Sequence, residues 1–326
     1  MKMHSYAFYN GHLSETKRRL DDLDAPEVIS VRSARIPLVR YPSSTSHINE
    51  IRKLQEDSLK APPLRTLKEL REDLAFEITS PLGHVTYPAN LTLSNFFDFL
   101  CCPTLCYELE YPRTAGIRKM ELVWKGLAVF GCIFLMTVTT EEFVMPVLDE
   151  ARIHLQSTSS ITDWALIFAE AISRMLFPFM VIFLLVFLVI FEYLCGFFAE
   201  LTCFADRHFY SDWWNSTDWL EFSREWNVPV HHFFRRHVYS ASRTVVSRPA
   251  ATVITFFISA LAHELVMGCI TKKLRGYGAI ALMLQIPIVM AQRSRWMRGR
   301  ALMGNVIFWM SMISGLSILC AMYVLV

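Results

Sequence analysis

FYSDWWNSTDWLEFSREWNVPVHHFFRRHVY, residues 209–239, decides how the rest of this chain is read. After it come a polar basic linker and an apolar segment that carries His263 and Glu264. A polar, tryptophan-rich loop between hydrophobic spans costs free energy in a membrane protein. So does a His–Glu pair inside a span, and ionisable groups at such depth mark function by default. Tyr210, Trp213, Trp214, Trp219 and Trp226 fall within seventeen residues. An interfacial belt collects Trp and Tyr, but it has no use for the interleaved Asp212, Asn215, Arg224, Asn227 and His231. Arg224, Asn227 and His231 share a face if the region is helical, and Pro229 marks a helix start instead.

Composition sets the class. The chain has 326 residues, 53% of them hydrophobic and 13% aromatic. Those values exclude a disordered chain and predict a membrane protein. A net charge of +2 says nothing about partners, while basic residues scattered between hydrophobic spans, with no known motif, exclude a nucleic-acid reader. The opening Met1-Lys-Met-His-Ser-Tyr leads into polar sequence, not into a secretory signal. The cysteines at 101, 102, 106, 132, 195, 203, 269 and 320 form no C-x-x-C framework and read as free thiols in apolar surroundings. Cys101, Cys102 and Cys106 cluster without the histidine or second cysteine pair that a metal site needs, so no metal is expected.

Working outward, residues 1–90 read as a polar N-terminal, cytosolic region of helices and linker, and 91–326 as the membrane-embedded domain. Glu15 to Asp24 alternates charges as a solvated helix face does. Residues 25–47, with Pro26, Pro37 and Pro42, read as a linker. A helical pattern returns over Ile51–Leu74, broken at Pro62-Pro63, with Leu67, Leu70 and Leu74 on one face. Residues 91–112, interrupted by Asp98 and Pro103, read as interfacial or re-entrant.

Spans are predicted over Leu122–Leu148, Met175–Leu201, Ala250–Thr271, Tyr277–Ala291 and Gly304–Val326, with a separate helix at Trp164–Phe177 carrying a Glu170–Arg174 pair. That makes five or six membrane helices, an all-α polytopic fold. The basic loops after Ile270 and Ala291 flank one span, so charge bias leaves the orientation open. Asn90 and Asn215 match glycosylation sequons by pattern. His263 lies well inside its span with Ser259 one turn before it on the same face. A histidine there is a natural general base for a hydroxyl.

At these residues the chain resembles the sterol and diacylglycerol branch of the membrane-bound O-acyltransferase family. Its F-Y-x-D-W-W-N signature is matched by Phe209, Tyr210, Ser211, Asp212, Trp213, Trp214 and Asn215. Its W-N-x-x-x-H is matched by Trp226, Asn227 and His231, and its intramembrane H-E by His263-Glu264. The resemblance runs from about Leu91 to the end and includes Tyr111-Pro112-Arg113. A less specific family-like segment is His4–Gly11. The wording GNVIFW, Gly304 to Trp309, looks most like the fungal sterol enzymes.

The resemblance implies a membrane-bound O-acyltransferase fold in the endoplasmic reticulum membrane, multi-pass. It implies transfer of a fatty acyl group from acyl-CoA to a lipid hydroxyl, with acyl-CoA as co-substrate and no further cofactor. His263 and Asn227 correspond to its catalytic pair. Arg224, His231, Tyr239 and Ser259 correspond to its acyl-CoA path. Tyr210, Asp212, Trp213, Trp214 and Asn215 correspond to the entrance, Arg248 to a basic position near the CoA phosphates, and Gln285 to a glutamine of diacylglycerol-type relatives. Glu264 either orients the imidazole or packs on a neighbouring helix. The implied partners are acyl-CoA, a sterol acceptor, membrane lipid and a second copy of the chain. The family's first spans have no counterpart in this chain, which would begin in the middle of the fold. Three readings stay open: a sterol acyltransferase, a diacylglycerol acyltransferase, and a non-catalytic membrane subunit.

Overall fold

The computed structural model describes residues 1–24, 67–297 and 299–326. The linker expected over 25–47 and the break at Pro62-Pro63 lie outside them. The helices in order are α1 (Lys2–Asp24), α2 (Leu67–Glu77), α3 (Leu93–Cys101), α4 (Lys119–Ser157), α5 (Ile161–Leu201), α6 (Trp219–Glu225), α7 (Val228–Phe233), α8 (Arg248–Thr271), α9 (Tyr277–Gln292) and α10 (Ala301–Leu325). Three stretches are π-helical: Thr140–Val144 inside α4, Leu188–Cys195 inside α5, and Phe234–Tyr239 after α7. The described residues form two compact units.

The first unit holds residues 1–117, 198–207 and 235–237. Leu13 and Leu20 of α1 meet Leu74 and Ile78 at the end of α2, together with Leu109. The charged face of α1 stays outside, where Lys17 and Asp21 pair one turn apart. Lys2 donates to the carbonyls of Phe99, Leu100 and Cys102, at 2.9, 2.7 and 2.5 Å. A cation thus satisfies the orphan C-terminal carbonyls of α3. The 91–112 segment, expected at an interface, is a short helix and a loop packed within this unit: Phe99, Cys102, Cys106 and Tyr107 are buried. Burial pushes the Cys106 thiol up to about 11, and the eight cysteines are free thiols. Asn90, one of the two sequons, is buried and donates to Asn10 and to Tyr107.

The second unit holds 118–197, 208–234 and 238–326. Four of its helices, α4, α5, α8 and α10, are long and apolar enough to cross a membrane, and α9 is a shorter apolar helix. The separate helix expected at Trp164–Phe177 is a correction: it runs without a break into the next span, making α5 41 residues long. Nothing in the sequence forces a break there. Arg174 is neutralised by Glu170 at 3.6 Å and by Glu150 of α4 at 2.6 Å. Pro178 is buried inside the helix, where its one missing donor is tolerated. α8 packs along α9, α9 also meets α10 and α6, and α10 rests on α5.

Candidate active site

The signature stretch folds around one ring. Trp213 begins a single 3₁₀ turn, Trp213–Asn215, and is almost wholly buried. Its indole meets Trp226 at 4.9 Å, Phe187 at 5.1 Å and Phe183 at 5.5 Å between ring centroids. The first and third are edge-on and the second tilted; such ring pairs are each worth about 0.5–1.5 kcal/mol beyond the area they bury. Tyr210 stands beside this knot, edge-on to Phe187 at 4.8 Å. Its hydroxyl reaches Glu192 at 3.3 Å, and burial and that carboxylate raise its pKa.

Glu192 also takes the Lys125 ammonium at 3.0 Å, and Lys125 donates to the Glu192 carbonyl as well. The widened π turn brings Phe187 and Glu192, five residues apart, to the same side of α5. Gly196 leaves the room that Lys125 needs: a Cβ there would lie 2.8 Å from Nζ.

The other half of the loop faces outward. Asp212, Trp214 and Asn215 are exposed, as is Arg224. Asp218 caps α6 through the amides of Leu220 and Glu221, each 2.9 Å away, and pairs with Arg293. The acidic neighbours Glu221 and Asp212, added to burial, raise the Glu225 pKa. The helix break read at Pro229 is present. Asn227 is the N-cap of α7, its Oδ1 accepting from the Val230 amide at 3.1 Å, with the proline in the first turn. That bond fixes which way the amide points, because only the oxygen accepts. The Nδ2 group is the donor that this cap does not use. His231 follows in α7, and Tyr239 ends the π-helical stretch; both are half-buried.

Arg236, in the π-helical stretch, is buried. It is committed to a buried ion pair with Glu108 at 2.8 Å and lies over the Tyr9 ring. Its neighbour His237 bonds Ser5 Oγ at 3.0 Å. Burial, Arg236 and His4 lower the His237 pKa to about 4.

The His–Glu pair divides its work. Consecutive residues on a helix point about 100° apart. His263 is on the exposed face of α8, and its Nδ1 lies 2.8 Å from the Ser259 carbonyl. A carbonyl only accepts, so Nδ1 carries a proton and Nε2 is the ring nitrogen left for another partner. Ser259 was expected on this face; it contributes through its backbone carbonyl.

Glu264 turns the other way and caps α9. Its carboxylate accepts from the amides of Gly276 at 2.6 Å, Ala279 at 3.1 Å and Arg275 at 3.2 Å, and from the Tyr323 hydroxyl at 2.8 Å. An anion at a helix N-terminus is the favoured arrangement. Gly276 adopts φ +79, a left-handed conformation that suits glycine. Sequence reasoning missed this cap because its partners lie on α9 and α10. Arg248 opens α8 and is exposed, while Gln285 sits half-buried in mid-α9. The structure therefore joins Tyr210, Trp213 and Trp226 in one cluster and His263 with Ser259 in another.

The described residues form an all-helical, polytopic membrane protein with His263 on the exposed face of one span, and the comparison of sequences gives the family. The chain belongs to the membrane-bound O-acyltransferase (MBOAT) family, whose profile it matches over residues 43–325. It is similar to the probable sterol O-acyltransferase 2 of Schizosaccharomyces pombe, 48% identical over 74% of this chain and 52% of that protein. It is 37% identical to sterol O-acyltransferase 2 of Saccharomyces cerevisiae, over 99% of this chain and 48% of that one. A more distant relative is diacylglycerol O-acyltransferase 1 of Dictyostelium discoideum, 32% identical over 78% of this chain and 40% of that protein. The chain spans about half the length of the curated relatives it matches.

Proposed function

We propose that this chain carries the catalytic portion of a sterol O-acyltransferase of the endoplasmic reticulum membrane, esterifying the 3-hydroxyl of a sterol with a fatty acyl group from acyl-CoA. The observation that carries the reading is the contact of His263 Nδ1 with the Ser259 carbonyl at 2.8 Å, which leaves Nε2 as the nitrogen that takes the proton. The greater identity to relatives named for sterols than to the one named for diacylglycerol favours the sterol as acceptor.

In this mechanism Nε2 removes the proton from the sterol hydroxyl as its oxygen attacks the thioester carbonyl. The Asn227 Nδ2 group donates to the oxygen that becomes negative; one such donor is worth about 3 kcal/mol of barrier. The C–S bond then breaks, the imidazolium returns its proton to the CoA sulfur, and steryl ester and free CoA leave. No acyl-enzyme forms. The Tyr210–Asn215 loop, Arg224, His231, Tyr239 and Ser259 line the donor path, Arg248 serves the CoA phosphates, and Gln285 is the counterpart of a glutamine in diacylglycerol-type relatives. A second copy of the chain is the expected protein partner.

The test supplies labelled oleoyl-CoA with either ergosterol or diacylglycerol to membranes expressing this chain. Labelled steryl ester is expected from wild type. His263→Ala is expected to reduce it by at least about a thousandfold while the protein stays in the membrane. Triacylglycerol as the product, or full activity in the alanine variant, sinks the proposal.

A further inference from the structure

GNVIFW, in the first turns of α10, has no part in the chemistry above, yet its side chains close on the signature loop. Asn305 Nδ2 donates to the carbonyl of Trp214 at 2.8 Å and to that of Ser216 at 3.0 Å. Trp309 Nε1 donates to the same Trp214 carbonyl at 3.0 Å. Between them they take both carbonyls at the end of the 3₁₀ turn, which its own backbone supports through Trp213 N to Ser211 O, Asn215 N to Asp212 O and Ser216 N to Trp213 O. Gly304 allows this approach. A Cβ on it would stand 2.8 Å from the Thr217 carbonyl and 3.2 Å from the Thr217 side chain, closer than real contacts. Trp309 also packs on Trp213 at 5.7 Å between ring centroids.

A helix that needs only to bury itself in a bilayer has no cause to carry an amide aimed at loop carbonyls. The asparagine is matched to its task, with two N–H donors for two acceptors. The same turn ends in the exposed Asn215 and follows the exposed Asp212, so its orientation fixes where those two side chains stand.

We infer that Asn305, assisted by Trp309, is a positioning residue that locks the Trp214–Ser216 turn and thereby sets the loop's donor-facing side chains. The inference rests on the reading of this loop as the wall of the acyl-CoA path. Asn305 touches no reacting atom; it acts through the peptide carbonyls of the loop.

Three variants of the full 326-residue chain test it. Asn305→Asp has the same shape but turns an acceptor toward two acceptors. Asn305→Ala removes both donors and adds no charge. Trp309→Phe removes one donor and keeps a ring. Two readouts are taken in detergent or nanodiscs: hydrogen exchange of the peptide covering residues 208–218, and steady-state kinetics with each substrate varied. Asn305→Asp and Asn305→Ala are expected to speed exchange of that peptide about tenfold or more. They are expected to raise the KM for acyl-CoA about tenfold, with the sterol KM within about twofold of wild type. Trp309→Phe is expected to act in the same direction by a smaller factor. It should add less than its full effect to Asn305→Ala, because both act on one carbonyl.

Wild-type exchange in both Asn305 variants overturns the clamp. Faster exchange with an unchanged acyl-CoA KM reduces it to a packing contact and overturns the positioning role. If Asn305→Asp fails to accumulate, Asn305→Ala and Trp309→Phe decide. If the wild-type chain transfers no acyl group, it is the proposed activity that fails, and the exchange measurement still decides whether the turn is locked by α10.

Discussion

Glu264 offers the sharpest test of how the His–Glu pair works. Its carboxylate is 8% exposed and holds four donors: the amides of Arg275, Gly276 and Ala279 and the Tyr323 hydroxyl. Hydrogen bonds to a charged group contribute about 1.5–3 kcal/mol each, and a buried donor left without an acceptor costs about 1–3 kcal/mol. The four share one site and do not add. The comparable case, removal of one partner from a buried ionic contact, costs about 3–5 kcal/mol, and that is the loss expected of Glu264→Ala. In a chain of this size it corresponds to a fall in Tm of about 4–7 °C. Tyr323→Phe removes one donor and is expected to cost about 1–2 kcal/mol. Combining it with Glu264→Gln should fall short of the sum of the two single effects by about 1 kcal/mol.

The assay is thermal unfolding of detergent-solubilised protein, followed by tryptophan fluorescence, with acyl transfer measured on the same preparations below the transition. Glu264→Gln keeps one carbonyl oxygen for the α9 amides, so it should retain substantial activity at low temperature while melting early. His263→Ala should show the converse, an unchanged Tm and no ester. If Glu264→Gln melts like wild type and is as inactive as His263→Ala, the carboxylate belongs to the chemistry and the capping argument is wrong.

Other outcomes follow from the same contacts. Arg236→Met leaves Glu108 buried without its partner and should destabilise the first unit by about 3–5 kcal/mol; adding Glu108→Gln should restore most of the loss in a denaturation curve. His237 is held neutral in the fold, with its pKa lowered to about 4 from 6.5. Its contribution is therefore fully present above pH 6.5 and is lost as pH falls toward 4. Unfolding curves between those values should show a pH slope that His237→Asn flattens, and an unchanged slope would refute the assignment. Gly196→Ala places a methyl group 2.8 Å from the Lys125 ammonium; it should displace the pair with Glu192 and lower stability by about 1–3 kcal/mol, read as a drop in Tm.

Much of this was legible from residue order, because the legible features are local. The break between α6 and α7 was announced by Pro229, a first-turn proline two residues after the residue that proves to be the cap, Asn227. The Ser259–His263 relation follows from a spacing of four on a helix. The Glu170–Arg174 pair does too, although the second partner, Glu150, comes from another helix and has no local trace. What failed was long-range. Hydropathy cannot say whether two apolar runs are one helix or two, since both bury the same side chains; hence the unbroken α5. Residues 91–112 were read by their aromatic content, which does not say which side chains are buried: Phe99 and Tyr107 lie in the core, while Leu93 and Phe97 of the same segment are exposed. Arg236 and Arg235 are adjacent and chemically alike, and only the position of Glu108 separates a buried ion pair from an exposed guanidinium.

The π-helical stretch Leu188–Cys195 carries a consequence for how the chain tolerates change in its length. Such a stretch is an α-helix with one residue too many, so deleting one residue there would restore an ordinary helix and leave both ends hydrogen-bonded. The span would survive. What would be lost is phase: Glu192 would turn away from Phe187, and with it the link from Lys125 to Tyr210. A single codon therefore separates a helix that merely crosses the bilayer from one that also anchors the signature loop.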